Sequence, residues 1–254
     1  MDILRSFLLA CSFLTILPVP ATEWTEDNLR PFCLAFPLVG VPLGALWGLL
    51  AFALSSWGAS PALRGVVMTL CALALTGGIH MDGLMDTCDA LLSRRDREAR
   101  LNILSDPHAG SFAVMGCAAV LLLQSATFAE LLSALPSRAF LLLLSTIPLW
   151  SRLGMGLLLN ATPFAREDGL ARTLGALRTR RHSIYLIAGA ALLAAWNFRT
   201  AGAPALYLPL TECAVFLLWR RCCLMAFGGV AGDLLGALNL LSETAMLLVL
   251  RGML

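Results

Sequence analysis

The sequence predicts an all-α, polytopic integral membrane protein with about seven to eight transmembrane helices, and three observations lead to that prediction. Of the 254 residues, 59% are apolar and only 13% are charged, with a mean hydropathy of +0.81. An ordinary soluble domain has about 25% charged residues. Long apolar runs recur along the chain, and arginines concentrate in a few of the connections between them. We therefore expect a single transmembrane helical domain over residues 1–254, rather than a conventional soluble enzyme or a secreted disulfide scaffold.

Eight apolar segments are candidate spans, because crossing ~30 Å of hydrocarbon takes about 20 mostly apolar residues. They lie near residues 3–18, 33–54, 62–80, 110–132, 138–160, 184–199, 204–220 and 232–251. Several of them are short or contain proline and glycine, so the ends are predicted only to within several residues.

The connections between the segments differ in their arginine content. All 18 cationic residues are arginine, and most of those outside the apolar runs lie in three connections, near residues 81–109, 161–183 and 220–231. Alternation of the spans places these three connections on one side of the membrane. The positive-inside rule then makes that side cytoplasmic. The same connections contain nearly all of the acidic residues of interest, so we expect the chemistry at this face.

Three carboxylates are predicted to gather at the end of the third segment. On a helix, the spacing of Asp82, Asp86 and Asp89 places them within an arc of about 60°. Carboxylates this close repel one another unless a cation joins them. Hard oxygen ligands favour Mg²⁺, whose coordination is usually completed by water and substrate phosphates. The alternative is a solvent-exposed helix start, where the helix dipole stabilises acidic side chains.

A basic stretch follows directly and predicts an anion-binding partner for this cluster. Guanidinium groups and Mg²⁺ together can hold a diphosphate and neutralise charge during phosphoryl transfer. Alone, the same stretch would be a basic loop that sets topology. Single histidines are more often structural than catalytic, but the two near the acids are candidates for substrate binding. The candidate substrate-binding residues here are His80, Arg94, Arg95, Arg97, Arg100, Asp106 and His108.

A third candidate lies near the start of the last segment, where Gly228 and Gly229 precede Asp233. Glycine-rich turns allow backbone N–H groups to approach an anion closely. Small residues also pack helices together in membranes, which is the structural alternative. An acid next to an apolar span is costly and favours a functional interpretation, so all three residues are candidates for substrate binding.

Other site classes are not indicated. The eight cysteines lie mostly within apolar runs without a CxxC pair, which predicts neither a zinc site nor a disulfide framework. A net charge of +2 without a basic, aromatic-interleaved stripe gives no indication of nucleic-acid binding.

Residues 77–114 resemble the signature region of the cobalamin synthase family, the adenosylcobinamide-GDP ribazoletransferases. Their sequence is GGIHMDGLMDTCDALLSRRDREARLNILSDPHAGSFAV. Weaker matches lie at Leu17–Pro20, at Phe36–Gly40, at Arg166–Leu170 and at the glycines around Asp233. The resemblance therefore extends over nearly the whole chain, in order.

This resemblance implies a Mg²⁺-dependent, multi-span enzyme of late cobalamin biosynthesis in the bacterial inner membrane. It implies that a hydroxyl of α-ribazole, or of its 5′-phosphate, attacks the cobinamide-side phosphorus of adenosylcobinamide-GDP, with GMP as the leaving group. Asp82, Asp86 and Asp89 would bind Mg²⁺ and carry the catalysis, and Arg166 would join the substrate-binding residues. Membrane lipid and other enzymes of the cobalamin pathway are the expected partners.

Two alternatives remain open at this stage. A CDP-alcohol phosphotransferase would perform similar chemistry on a membrane scaffold, but the order Asp82-Gly83 followed by Asp86 does not match the spacing of that family's motif. A transporter would be expected to have acids in the middle of its spans and two repeated halves. The absence of a convincing internal repeat and the position of the acids at segment ends favour an enzyme.

Overall fold

The computed structural model describes residues 3–133 and 137–253 and forms a bundle of α-helices. In chain order these are α1 (Ile3–Leu14), α2 (Glu26–Leu29), α3 (Phe32–Ser55), α4 (Pro61–Leu75), α5 (Ile79–Leu92), α6 (Arg97–Ile103), α7 (Ser111–Ser133), α8 (Arg138–Ala161), α9 (Leu170–Gly175), α10 (Arg180–Ala201), α11 (Tyr207–Phe227) and α12 (Gly232–Gly252). A 3₁₀ turn, Ala203–Leu206, precedes α11. Within the described ranges the only β-type pairing is one isolated bridge between Phe164 and Val230. The all-α prediction is confirmed.

Five of these helices, α3, α7, α8, α10 and α12, are long and apolar enough to cross a membrane. The bent pair of α4 and α5 would make a sixth. The predicted count of seven to eight is therefore not confirmed. The predicted first span forms only the 12-residue α1. The predicted span at 204–220 begins in the 3₁₀ turn and continues into α11, which contains Glu212, Arg220 and Arg221.

Helices α3 and α8 form the central contact of the bundle through a stripe of glycines. Gly40, Gly44 and Gly48 lie four residues apart on α3, and a Cβ on any of them would collide with α8. A Cβ placed on Gly40, for example, would lie 2.6 Å from the carbonyl oxygen of Pro148. Small residues at this spacing allow membrane helices to approach closely and gain van der Waals contact.

The predicted span at 62–80 is interrupted before its end. Helix α4 ends at Leu75, and the chain bends by 94° before α5 begins. Gly77 and Gly78 form the bend with φ angles of 62° and 80°, a region that glycine enters without the Cβ clash of other residues. The acidic segment is therefore a separate helix, α5, which can be directed independently of α4.

Helix α5 packs against α12 through a glycine on each helix. A Cβ placed on Gly83 would lie 2.7 Å from the carbonyl oxygen of Asp233, and one on Gly236 would lie 3.2 Å from the Cα of His80. The acidic helix and the start of α12 are thus held in backbone contact.

Candidate functional site

The three predicted acidic residues all lie on α5, which confirms the helix assumed for their spacing. Asp82 is exposed, whereas Asp86 and Asp89 are half-buried. Neither Asp82 nor Asp86 forms a side-chain hydrogen bond or ion pair with any residue that the structure describes. Two carboxylates one helical turn apart are therefore available to a ligand.

Asp233 joins this group from a second helix. It lies in the first turn of α12, where Gly83 brings α5 into contact with it. The carboxylate of Asp86 interacts electrostatically with those of Asp82, Asp89 and Asp233. Asp233 in turn interacts with Asp82 and with the guanidinium of Arg166. We call Asp82, Asp86 and Asp233 the acidic cluster. The sequence predicted Asp233 as a separate substrate contact, and the fold places it beside the α5 acids.

Asp89 differs from its neighbours because its carboxylate already has two donors. The N–H of Gly110 donates to one oxygen at 2.6 Å, and the N–H of Ala113 donates to the other at 2.9 Å. These N–H groups lie at the start of α7, where a helix leaves its first donors unsatisfied. Asp89 therefore caps α7 from a distance of 21 residues in sequence. Its predicted role as a metal ligand stays a prediction.

Arginines from α6 and from the α8–α9 connection hold the loops around the acidic cluster. Arg97 donates to the carbonyl of Ala165 at 3.3 Å, and Arg100 donates to the carbonyl of Ala226 at 3.4 Å. Arg166 donates to Ser105 Oγ at 2.7 Å and also to the carbonyl oxygen of Leu101. The three arginine-rich connections are thus gathered at one end of the bundle, and the side of the membrane on which they lie stays a prediction. A guanidinium has five N–H donors, so each of these arginines keeps donors for a phosphate.

The glycine-rich turn between α11 and α12 permits close backbone contacts. Gly228 ends α11 with φ of 76°, and the Arg97 guanidinium lies directly against its Cα. A Cβ on Gly229 would lie within 2.7 Å of the backbone of Pro163–Ala165. The N–H of Val230 donates to the carbonyl of Pro163 at 2.8 Å. The structure therefore gives both glycines packing roles, and their predicted contact with substrate stays a prediction.

A cavity of about 170 Å³ lies beside the acidic cluster. Its polar lining comes from the α6–α7 connection, the α8–α9 connection, α9 and the start of α12. These residues include Ser105, Arg166, Asp168, Arg172 and Asp233. Arginine and carboxylate side chains face the same space, which suits a ligand that carries phosphate groups with a cation. Sequence reasoning missed Ser105 and Arg172 as lining residues because no motif marks them.

The other predicted residues lie at the edges of this arrangement. His80 is buried beneath the acidic cluster, and its Nε2 atom has no hydrogen-bond partner. His108 is exposed and pairs with Asp106 at 2.8 Å. The hydrogen bonds from His108 lower the pKa of Asp106 below its ordinary value. Arg94 and Arg95 are exposed in the turn before α6, and their side chains contact no described residue through a hydrogen bond.

The donor set of the acidic cluster is chemically suited to Mg²⁺. No three side chains of His, Cys, Asp or Glu within residues 3–133 and 137–253 converge closely enough to form a complete metal site. Mg²⁺ commonly uses only one or two carboxylates and takes its other ligands from water and substrate phosphates. Asp82 and Asp86, which have no protein partner, match that pattern.

A buried ion pair beneath the site was missed by sequence reasoning. Arg152 on α8 is 1% exposed, and its Nη1 lies 2.8 Å from Oε1 of Glu243 on α12. Ser151 Oγ donates to the same carboxylate oxygen at 3.1 Å. The pair and His80 border a cavity of about 20 Å³, which has room for one water molecule. The arginine within the apolar run at 138–160 could have indicated such a pair, because ionisable residues in membrane spans are rare and usually have a partner.

Comparison with known proteins assigns the chain to a family. Residues 6–251 match the family model described as cobalamin-5-phosphate synthase. A protein of Stutzerimonas stutzeri named adenosylcobinamide-GDP ribazoletransferase is 38% identical over 94% of this chain and 95% of its own length. Proteins with the same name are 36% identical in Pseudomonas paraeruginosa, over 98% of both chains, and 30% identical in Clostridium perfringens, over 97% of both. No solved structure matches. The match over nearly the full length shows that the chain belongs to the cobalamin-5-phosphate synthase family.

Proposed function

We propose that this chain is an adenosylcobinamide-GDP ribazoletransferase that works with Mg²⁺ in the bacterial inner membrane. The observation that carries the proposal is the match of residues 6–251 to the family, whose curated relatives have that name. The acidic cluster beside Arg166 supports the chemistry, because it offers free carboxylates and a guanidinium at one place.

The proposed reaction is a phosphoryl transfer. A hydroxyl oxygen of α-ribazole, or of its 5′-phosphate, forms a bond to the cobinamide-side phosphorus of adenosylcobinamide-GDP. The bond from that phosphorus to the bridging oxygen breaks, GMP leaves with the electron pair, and the hydroxyl proton passes to a base. Such reactions depend mainly on positioning and charge stabilisation.

The residues of the site take defined parts in this proposal. Asp82 and Asp86 would hold Mg²⁺, which when bound neutralises charge on the diphosphate, and Asp233 lies beside them. Asp82 or Asp86 accepts the hydroxyl proton, since neither is engaged by another protein group. Arg166, which lines the 170 Å³ cavity together with Asp233, binds phosphate oxygens. The exposed Arg94 and Arg95 contact phosphate from the turn before α6.

The cytoplasmic side is proposed for this end of the molecule. The three arginine-rich connections meet there through the contacts of Arg97, Arg100 and Arg166. Short basic connections are retained on the cytoplasmic side during insertion. Nucleotide-linked substrates would then reach the site from the cytoplasm without crossing the membrane.

The test is release of GMP from adenosylcobinamide-GDP and α-ribazole 5′-phosphate by the purified chain, with and without Mg²⁺. We expect Mg²⁺-dependent turnover that falls at least about 100-fold in Asp82→Asn, which removes charge while keeping shape. Glu130→Gln is the matched control, because Glu130 lies at the opposite end of α7 from the site and pairs with the exposed Arg251. GMP release that is unchanged without Mg²⁺ would remove the metal from the proposal. Folded protein that releases no GMP would overturn the reaction and turn attention to lipid head-group transfer.

A further inference from the structure

Helix α10 lies at the periphery of the bundle and leaves a groove beside it. Only 11% of its most apolar stretch is buried. Between α8, α10 and α11 lies an open cavity of about 520 Å³ with an almost wholly apolar wall. The side chains that form it include Leu153, Leu157, Ile187, Ala191, Phe216 and Leu217. Two candidate membrane helices, α8 and α10, together with the neighbouring α11 thus border a space suited to a hydrocarbon chain.

The one carboxylate among the groove's lining residues does not change this character. Glu212 is 4% exposed and packs closely against Gly154 of α8. Both of its carboxylate oxygens are buried and form no hydrogen bond with a described residue. The open surface of the groove is therefore apolar.

One end of the groove opens into a second cavity of about 720 Å³, whose lining includes two arginines. Asn160, Arg178 and Arg180 line this second cavity. Ala161 and Ser183 line both spaces, so the apolar groove and the basic cavity are continuous. We call the combined feature the basic-ended groove.

Positive charge at this end is not balanced by carboxylates. Arg220 donates to the carbonyl of Ala161 at 3.2 Å, so its charge lies at the junction of the two spaces. None of Arg178, Arg180 and Arg220 forms an ion pair with a described acid. The guanidinium groups of Arg172 and Arg178 lie 5.3 Å and 3.8 Å from the centroid of the same ring, that of Phe164, so two cations are close to one another here. This crowding favours an anionic ligand.

The start of α10 adds donors for the same anion. Helix α10 has 22 residues, and Thr179 at its N-cap position provides no side-chain hydrogen bond to the first turn. The N–H of His182 donates to the carbonyl of Thr179 at 3.0 Å, which leaves the N–H groups of Arg180 and Arg181 for another acceptor, and the helix dipole favours negative charge there.

We propose that the basic-ended groove binds an anionic diacyl phospholipid. An acyl chain lies along the apolar wall between α8, α10 and α11, and the phosphate lies between Arg180 and Arg220. This inference does not rest on the proposed enzymatic function. It follows from the continuity of an apolar groove with an unbalanced basic end at one end of candidate membrane helices.

Native mass spectrometry of the full chain with added phosphatidylglycerol or phosphatidylcholine tests the charged end. We expect phosphatidylglycerol to be retained preferentially, with about a fivefold loss of affinity for each arginine removed in Arg180→Gln and Arg220→Gln. Arg199→Gln is the matched control, because Arg199 is exposed at the other end of the same helix. Equal retention of the two lipids, or unchanged retention by the double variant, would overturn the proposal. Displacement of phosphatidylglycerol by millimolar inorganic phosphate would do so too, since it would show a phosphate site without an acyl chain.

A second pair of variants tests whether an acyl chain lies along the apolar wall of the basic-ended groove. Ala191→Trp places a large side chain in the groove, and Ala195→Trp places the same side chain on an exposed part of α10 that does not line it. We expect retained phosphatidylglycerol to fall at least about fivefold only for Ala191→Trp, with both variants eluting as folded protein. Equal retention by the two would show that the lipid lies elsewhere.

Discussion

Individual residues of the acidic group have different tasks although they look alike in sequence. Asp82 and Asp86 have no protein partner, whereas Asp89 accepts hydrogen bonds from Gly110 and Ala113. Hydrogen bonds from N–H groups to an ionised carboxylate are among the stronger ones in proteins. Asp89 is therefore a structural contact between α5 and α7, whatever part it also takes in catalysis.

We expect Asp89→Ala to lower the free energy of unfolding by about 1 kcal/mol or more, because it removes the cap of α7. Asp82→Ala should leave stability unchanged or slightly raised, since it relieves repulsion with Asp86. Thermal unfolding of both variants in the same detergent makes the comparison. Equal melting temperatures for the two would contradict the capping role.

The pair of Asp106 and His108 should respond to pH. Hydrogen bonds from His108 lower the pKa of Asp106 in the folded protein. The stabilisation that the pair gives is therefore fully present above the pH range in which an ordinary aspartate titrates. It is lost as the pH falls through the lowered pKa of Asp106. In His108→Ala the pKa of Asp106 should rise toward the ordinary value. Carboxyl-carbon NMR titration measures both forms, and an identical Asp106 pKa in the variant would contradict the contact.

At the scale of helices, periodicity and apolar length predicted the straight elements well. The predicted segments 33–54 and 138–160 agree closely with α3 and α8. The break before α5 was not predicted, because Gly77 and Gly78 fit either helix packing or a bend, and only their positive φ angles decide between these. Likewise the spacing of Asp82 and Asp86 predicted their shared helix face. The approach of Asp233 depends on contact between helices some 150 residues apart, which no local pattern contains.

The crossing of α5 and α12 should tolerate almost no added volume. Gly83→Ala puts a methyl group 2.7 Å from the Asp233 carbonyl, so the helices must separate and the acidic cluster must widen. We expect at least about a tenfold loss of GMP release, because small misplacements of reacting groups are costly. Gly189→Ala on α10 is the control: nothing lies within 4 Å of its added Cβ, and alanine favours a helix. Equal activity of the two variants would show that the α5–α12 distance does not control the site.

On the scale of the whole molecule, a group of buried polar side chains lies within the apolar bundle beneath the site. Arg152 and Glu243 join α8 to α12 about three helical turns below Asp233. His80 borders the same small cavity. Helix α8 also packs on the glycine stripe of α3. The position of α12, and with it Asp233, is therefore tied to the central helix pair of the bundle.

This arrangement predicts strong coupling between the two buried charges. Arg152→Leu leaves Glu243 charged without its partner, and Glu243→Leu does the same to Arg152. Each single change should therefore cost about 3–5 kcal/mol. The double variant replaces both charges with apolar groups and should cost much less than the sum of the two single changes.

Unfolding in mixed detergent micelles gives the four free energies of this double-mutant cycle. The exposed pair Arg251–Glu130 serves as the control and should show coupling of at most about 1 kcal/mol. Additive losses at Arg152 and Glu243 would mean that the two side chains stabilise the bundle separately and that their ion pair does not join α8 to α12.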